Sequence, residues 1–190
     1  MTEPPGHHLV YGTLQDFITG EELPDTDDER FRQQLARLLV LRLGYSRGEL
    51  LPRLGIDTIF NKQYVRSVID LTVEVEGKRL MIIRYGPGSL VTRERPAIAA
   101  ARVLDERYRI PLAVVTNGRD AELLDTATGK VLDTGMDAIP DRQRAAVLLE
   151  EMEFAPFTGD ARKRERELRI LNAFDLQVCC RSDSCEVPRM

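Results

Sequence analysis

Two short segments hold the residues best placed to do chemistry. In Ser67-Val68-Ile69-Asp70-Leu71-Thr72-Val73 one carboxylate stands in an apolar alternation. After Glu76-Gly77-Lys78, the run Leu80-Met81-Ile82-Ile83-Arg84-Tyr85-Gly86-Pro87 puts a guanidinium at the end of an unbroken apolar stretch. Residues two apart on a strand share a face, so positions 84 and 86 point the same way. A carboxylate facing such a pair can hold a divalent cation when a second acid stands beside it, or it can pair with an arginine. A guanidinium about 4 Å from a dication is repelled by several kcal/mol even at an effective dielectric of ~20. The expectation is therefore an Asp70–Arg84 ion pair, with Arg84 replacing a metal as the positive centre and keeping Asp70 ionised.

The elements that must position these residues can be read from periodicity. Thr26-Asp27-Asp28-Glu29 has the form of a capping box, with Thr26 accepting from the Glu29 amide and the Glu29 side chain reaching back. Phe31, Leu35, Leu38, Leu39 and Leu43 continue at helical spacing until Gly44, which is suited to a left-handed stop. From Arg53 to Phe60 the signal is weak, and the expected order is helix, three strands, helix, strand and then additions. Ile69, Leu71, Val73 and Val75 then alternate with Asp70, Thr72 and Glu74, as in a half-buried strand, and Glu76-Gly77-Lys78 turns the chain. The runs Leu80 to Ile83 and Leu112 to Val115 are apolar throughout and suit strands covered on both faces at the sheet centre. Between them, Thr92 to Tyr108 reads as a crossover helix, with Pro96 tolerable only in its first turn. Ala121 to Leu124 and Val131-Leu132 add two short strands, and Asp141 to Met152 and Asp160 to Phe174 are expected helices.

Strand, tight turn and strand, carrying Asp70 and then Arg84-Tyr85-Gly86, resemble the metal-site hairpin of the PD-(D/E)xK nuclease superfamily. More narrowly, the chain resembles the N-terminal nuclease domain of type I restriction enzyme motor subunits over roughly residues 14–135. The resemblance implies a restriction-endonuclease-like α/β fold: a mixed sheet flanked by helices, in one domain. An acidic N-terminal arm (1–26) would precede a core (27–135), C-terminal helices (140–174) and a cysteine-containing tail (175–190). It also implies a site in which an Asp on the first strand faces a Glu-x-Lys on the second, with Mg²⁺ held between the acids. Asp70 matches the Asp, Arg84 stands where the Glu would be, and Gly86 stands where the Lys would be. The helix from Thr92 also lacks the Gln that many relatives carry.

These departures leave a nuclease-like protein with a degenerate site, binding DNA or a restriction-system partner without cutting and needing no cofactor. The alternative is an active metal-dependent endonuclease, using Mg²⁺, whose second acid has migrated to Glu74, Glu76 or the helix-start Glu29. Lys78, in the hairpin turn, is a poor replacement for the lost lysine. A third reading is an interaction module with no DNA role. On the DNA-binding reading, Lys62, Arg66, Arg84, Arg93 and Arg95 flank the cleft and contact phosphates, which give affinity without sequence choice.

Charge distribution fits a polyanion partner. Residues 1–29 carry eight Asp or Glu and no Lys or Arg, which leaves 23 of the 31 acidic residues and all 27 basic ones to the body. The acidic arm is then a candidate to fold over the cleft as an intramolecular polyanion mimic. At 190 residues, 43% hydrophobic and 31% charged, the chain is of ordinary globular composition. No apolar run approaches the ~20 residues of a membrane span, and Met1 to His8 lacks a secretory pattern, so a cytoplasmic location is expected. Cys179, Cys180 and Cys185, with His7 or His8, offer a metal site by residue type. Their spacing matches no strong zinc pattern, and they read as a reducing tail. Walker, GxGxxG, HExxH and GxSxG motifs are absent from the sequence.

Overall fold

A computed structural model describes residues 9–157 and 161–179. Strands β1 (Thr13–Gln15) and β2 (Glu22–Pro24) form a small antiparallel hairpin ahead of helix α1 (Asp27–Leu41). A six-stranded sheet follows, in spatial order β3 (Leu50–Phe60), β4 (Gln63–Val75), β5 (Lys78–Tyr85), β6 (Leu112–Thr116), β7 (Ala121–Asp125) and β8 (Val131–Thr134). Only β5 and β6 pair in parallel, and helix α2 (Val91–Val103) makes the crossover a parallel pair requires. Helices α3 (Arg142–Glu151) and α4 (Ala161–Cys179) complete the described residues. The fold is the mixed α/β sheet with flanking helices that the sequence predicted.

Local chemistry explains the central hairpins. β3 and β4 are joined by Asn61-Lys62, with φ of 51° and 65°, and β4 and β5 by Glu76-Gly77, with φ of 52° and 75°. Two successive left-handed residues give the tight turn whose twist matches that of its flanking strands. The apolar runs then fall where expected: Leu80 to Ile83 and Leu112 to Val115 are all fully buried. One core gathers Leu35, Leu39, Leu71, Val73, Met81, Ile83 and Val114 with α1 and α3. The other gathers Ile82, Ala113 and Val115 with α2 and Leu171 of α4. Each helix pair therefore covers one face of the sheet.

Three local expectations are corrected, and one weak one is filled in. β3 is an 11-residue strand over the stretch whose sequence signal is weak. Pro52, Gly55 and Asp57 spoil its alternation, and its pairing with β4 holds it at the sheet edge. Pro96 is the sixth residue of α2 rather than a first-turn residue, so its ring interrupts the ladder in mid-helix. The same helix stops at Val103, five residues early, where the amide of Ile110 reaches back to the Ala101 carbonyl and Asp105 takes the Arg107 amide. Thr26 does cap α1 through the Glu29 amide at 3.2 Å, but the Glu29 side chain turns away from the cap toward Arg32 and Gln33.

Candidate functional site

The ladder between β4 and β5 runs from Val75↔Lys78 to Leu71↔Ile83 and there the strands part. Asp70 and Arg84 sit one step beyond, at the fork. On its other side Asp70 also lacks a regular partner, because the β3 pairing passes from Pro52↔Leu71 to Leu54↔Ile69 across Arg53, whose φ is 56°. The Asp70 carboxylate takes over as acceptor: its Oδ2 receives the Tyr85 amide at 2.8 Å. Burial pushes the Asp70 carboxyl above the usual carboxylate range. The Tyr85 amide and the charges of Arg84 and Arg32 only partly offset that, and Asp28 adds to it.

Arg84 does not pair with Asp70, which corrects the expected ion pair. Its Nη2 donates to Asp175 Oδ1 of α4 at 2.9 Å, with the two side chains 15% and 8% exposed. Arg84 shares the sheet face of Ile82, the face that α2 and α4 cover, so it meets α4. Asp70 meanwhile takes the backbone amide of Tyr85.

At the neighbouring position the missing side chain matters. A Cβ on Gly86 would lie 1.9 Å from Arg93 Nη1 and 2.1 Å from its Cζ, so the Arg93 guanidinium fills the space in which a residue-86 side chain would begin. Arg93 is held there by Nη2 donating to the Pro87 carbonyl at 2.8 Å. Burial, and then the charge of Arg84, lower its pKa below the ordinary guanidinium value. The Phe174 ring lies under both cations, 6.0 Å from Arg84 and 5.8 Å from Arg93. On the opposite face of β5, Tyr85 stacks on Phe31 of α1 with centroids 3.7 Å apart.

The other predicted residues scatter. Glu29 is engaged by Arg32 and Gln33, and Arg32 in turn bonds the fully buried Asp16 at 3.1 Å. Arg66 is exposed, pairs with Asp57 at 3.3 Å and lies over Gly55, while exposed Lys62 sits at the tip of the β3–β4 hairpin. Arg95 points to the groove between α2 and α4, where it pairs with Glu167 at 2.6 Å. Of the four basic residues proposed to flank Arg84, the structure brings Arg93 to it. Glu74 faces Arg79 at 3.8 Å, Glu76 is in the hairpin turn, and Lys78 lies over the Phe154 ring at 4.9 Å. Cys179 is the last residue of α4; Cys180, Cys185, His7 and His8 lie outside the described residues. Part of the acidic arm is built into the fold as β1 and β2.

The metal that the resemblance implies does not fit this fork. Among the described residues no three His, Cys, Asp or Glu side chains gather as a ligand set. One Asp70 oxygen already receives an amide, and the positive charges of Arg84 and Arg93 act at the fork, where a cation would need further acids. Sequence reasoning missed Phe174 and Asp175. A signal for the latter existed: Asp175 follows Glu167 and Leu171 at four-residue steps, so it had to lie on the inward face of α4.

A mixed α/β domain with one carboxylate and two guanidiniums at the fork of its central hairpin is the class that fold and site define. The chain belongs to the family described as type I restriction enzyme R protein N terminus (HSDR_N), whose model matches residues 27–140. No curated protein and no solved structure matches it. The matched span runs from the start of α1 through Asp70, Arg84, Gly86 and Arg93; Phe174 and Asp175 lie beyond it. Among the described residues no helix is long and apolar enough to cross a membrane.

Proposed function

We propose that this protein uses a nuclease-type fold to bind DNA through backbone phosphates without cleaving it, in the setting of a restriction–modification system. The observation that carries the reading is the pair of guanidiniums at the fork: Arg84 on β5, and Arg93 over Gly86. An arginine offers up to five N–H donors in a fixed planar array and remains charged even when partly buried, which suits phosphate oxygens. A dication would be repelled at the same place. Family membership makes the other subunits of a type I system the natural protein partners.

The test is binding of fluorescein-labelled duplex and single-stranded DNA, followed by anisotropy across a salt series. Wild-type affinity is expected to fall steeply with salt. Arg84→Ala and Arg93→Ala are each expected to weaken binding and to flatten the slope of log K against log salt by about 0.9 per lost phosphate contact on duplex DNA. Gly86→Ala, whose Cβ would displace the Arg93 guanidinium, is expected to act like Arg93→Ala while leaving the fold intact. The same proteins are then incubated with supercoiled plasmid and single-stranded DNA in Mg²⁺ or Mn²⁺. No nicking is expected. Nicking that disappears in Asp70→Ala would instead establish a working metal site and overturn the proposal.

A further inference from the structure

The fork has more hydrogen-bonding capacity than its present partners use. Among the described residues, Arg84 Nη1 and Arg93 Nε are buried donors without a hydrogen-bond partner, and Asp175 Oδ2 is a buried acceptor without one. Arg84 bonds the α4 carboxylate, and Arg93, on which the charge of Arg84 acts, lies with it over the Phe174 ring. Buried polar groups are rarely left unmatched, and a carboxylate bonded through one oxygen leaves half of its accepting capacity unused.

The anchoring of α4 is uneven. Its middle is fixed by Glu167, which is fully buried between Arg95 at 2.6 Å and Arg102 at 3.1 Å, by the fully buried Leu171, and by Asn172, which accepts from Thr58 Oγ1 at 2.9 Å. Beyond Asn172, the described side chains are Ala173, which is exposed, and Phe174 and Asp175, the two that meet the arginines.

We propose that Asp175 occupies the place of a nucleic-acid phosphate at Arg84 and Arg93, so that the C-terminal turns of α4 compete with DNA for the fork. This rests on the phosphate-binding reading above and adds its regulation. A phosphodiester brings the same single negative charge as the carboxylate, with two non-bridging oxygens and two ester oxygens around one phosphorus. It can therefore bond Arg84 and Arg93 together where Asp175 bonds Arg84 alone. When DNA enters, Asp175 leaves with the helix end, and the hold at Glu167, Leu171 and Asn172 keeps the rest of α4 in place.

The experiment compares the full-length wild type, Asp175→Asn, Arg84→Ala and the Asp175→Asn/Arg84→Ala double variant for affinity to a labelled oligonucleotide at low salt. Removing the competing charge with Asp175→Asn is expected to tighten binding roughly tenfold, a gain that Arg84→Ala abolishes. Unchanged or weaker binding by Asp175→Asn, with Arg84→Ala still harmful, would overturn the competition and leave the phosphate site standing. If Arg84→Ala and Arg93→Ala leave wild-type binding unchanged, the phosphate site itself falls, and the competition with it. Hydrogen exchange on the wild-type protein gives a second readout that needs no variant. Amides of residues 173–179 are expected to exchange faster when the oligonucleotide is bound, and equal or slower exchange would overturn the proposal.

Discussion

Asp70 carries a charge that its surroundings disfavour. Burial raises its pKa, and the Tyr85 amide with the charges of Arg84 and Arg32 does not fully compensate. A carboxyl that binds its proton more tightly folded than unfolded contributes stability that is complete below the unfolded value of 3.8 and is lost as pH rises through the raised folded value. Asp70→Asn can keep the hydrogen bond from the Tyr85 amide through its side-chain oxygen while removing the charge. Urea denaturation is therefore expected to find the variant more stable than wild type at neutral pH, with the difference shrinking as pH falls toward 4. A variant that is less stable at neutral pH would mean that Asp70 is worth more as the counter-charge of Arg84 and Arg93 than it costs to bury. At the same scale, the exchange of a side chain for hydrogen at Gly86 governs where Arg93 lies, although the two residues are seven apart in sequence.

Among the elements, the β1–β2 hairpin is held by one buried acid. Asp16 Oδ1 receives the amides of Ile18 and Thr19 at 2.7 and 3.0 Å, and its Oδ2 receives Arg32 at 3.1 Å and Arg53 at 2.6 Å. Burial alone would raise its pKa. The Thr19 amide, Arg53, the Ile18 amide and Arg32 outweigh burial and hold the carboxyl well below the usual range. A depressed folded pKa gives stability that is present above the unfolded value of 3.8 and lost as pH falls toward the folded one. Asp16→Ala leaves Arg32 with Glu29 and Arg53 with Glu21 but unmakes the hydrogen bonds to a buried carboxylate, and is expected to cost about 2–3 kcal/mol at neutral pH. The cost should be smaller in strong acid, as urea denaturation at two pH values would reveal. Helix α4 is the second case: Glu167 ties it to Arg95 and Arg102, and Asp175 ties its far end to β5.

Across the whole molecule, two cores share one sheet. β5 sends Leu80, Met81 and Ile83 into one and Ile82 into the other, so neither layer can lose its packing without exposing the strand that serves both. A single cooperative unfolding transition is expected, and Leu171→Ala should lower its free energy by about 2–5 kcal/mol without splitting it. Two transitions in the far-ultraviolet circular dichroism of that variant would mean that α2 and α4 melt separately from the sheet. The sequence by itself determined what depends on near neighbours: the Thr26 cap, the Glu76-Gly77 turn, the apolar runs of β5 and β6, and the hairpin that places Asp70 across from Arg84. Periodicity and turn chemistry act over a few residues and leave a readable trace. β3 left only a weak trace, since Pro52, Gly55 and Asp57 obscure its alternation and its form comes from hydrogen bonds to β4. Tertiary structure alone decided the partners at the fork. Asp175 meets Arg84 from 91 residues away, Arg93 enters the space left at Gly86, and Glu29 is drawn to Arg32 instead of its own cap. Each of those choices is set by which charged groups the packed helices bring within hydrogen-bond range, a quantity that spacing along the chain does not encode.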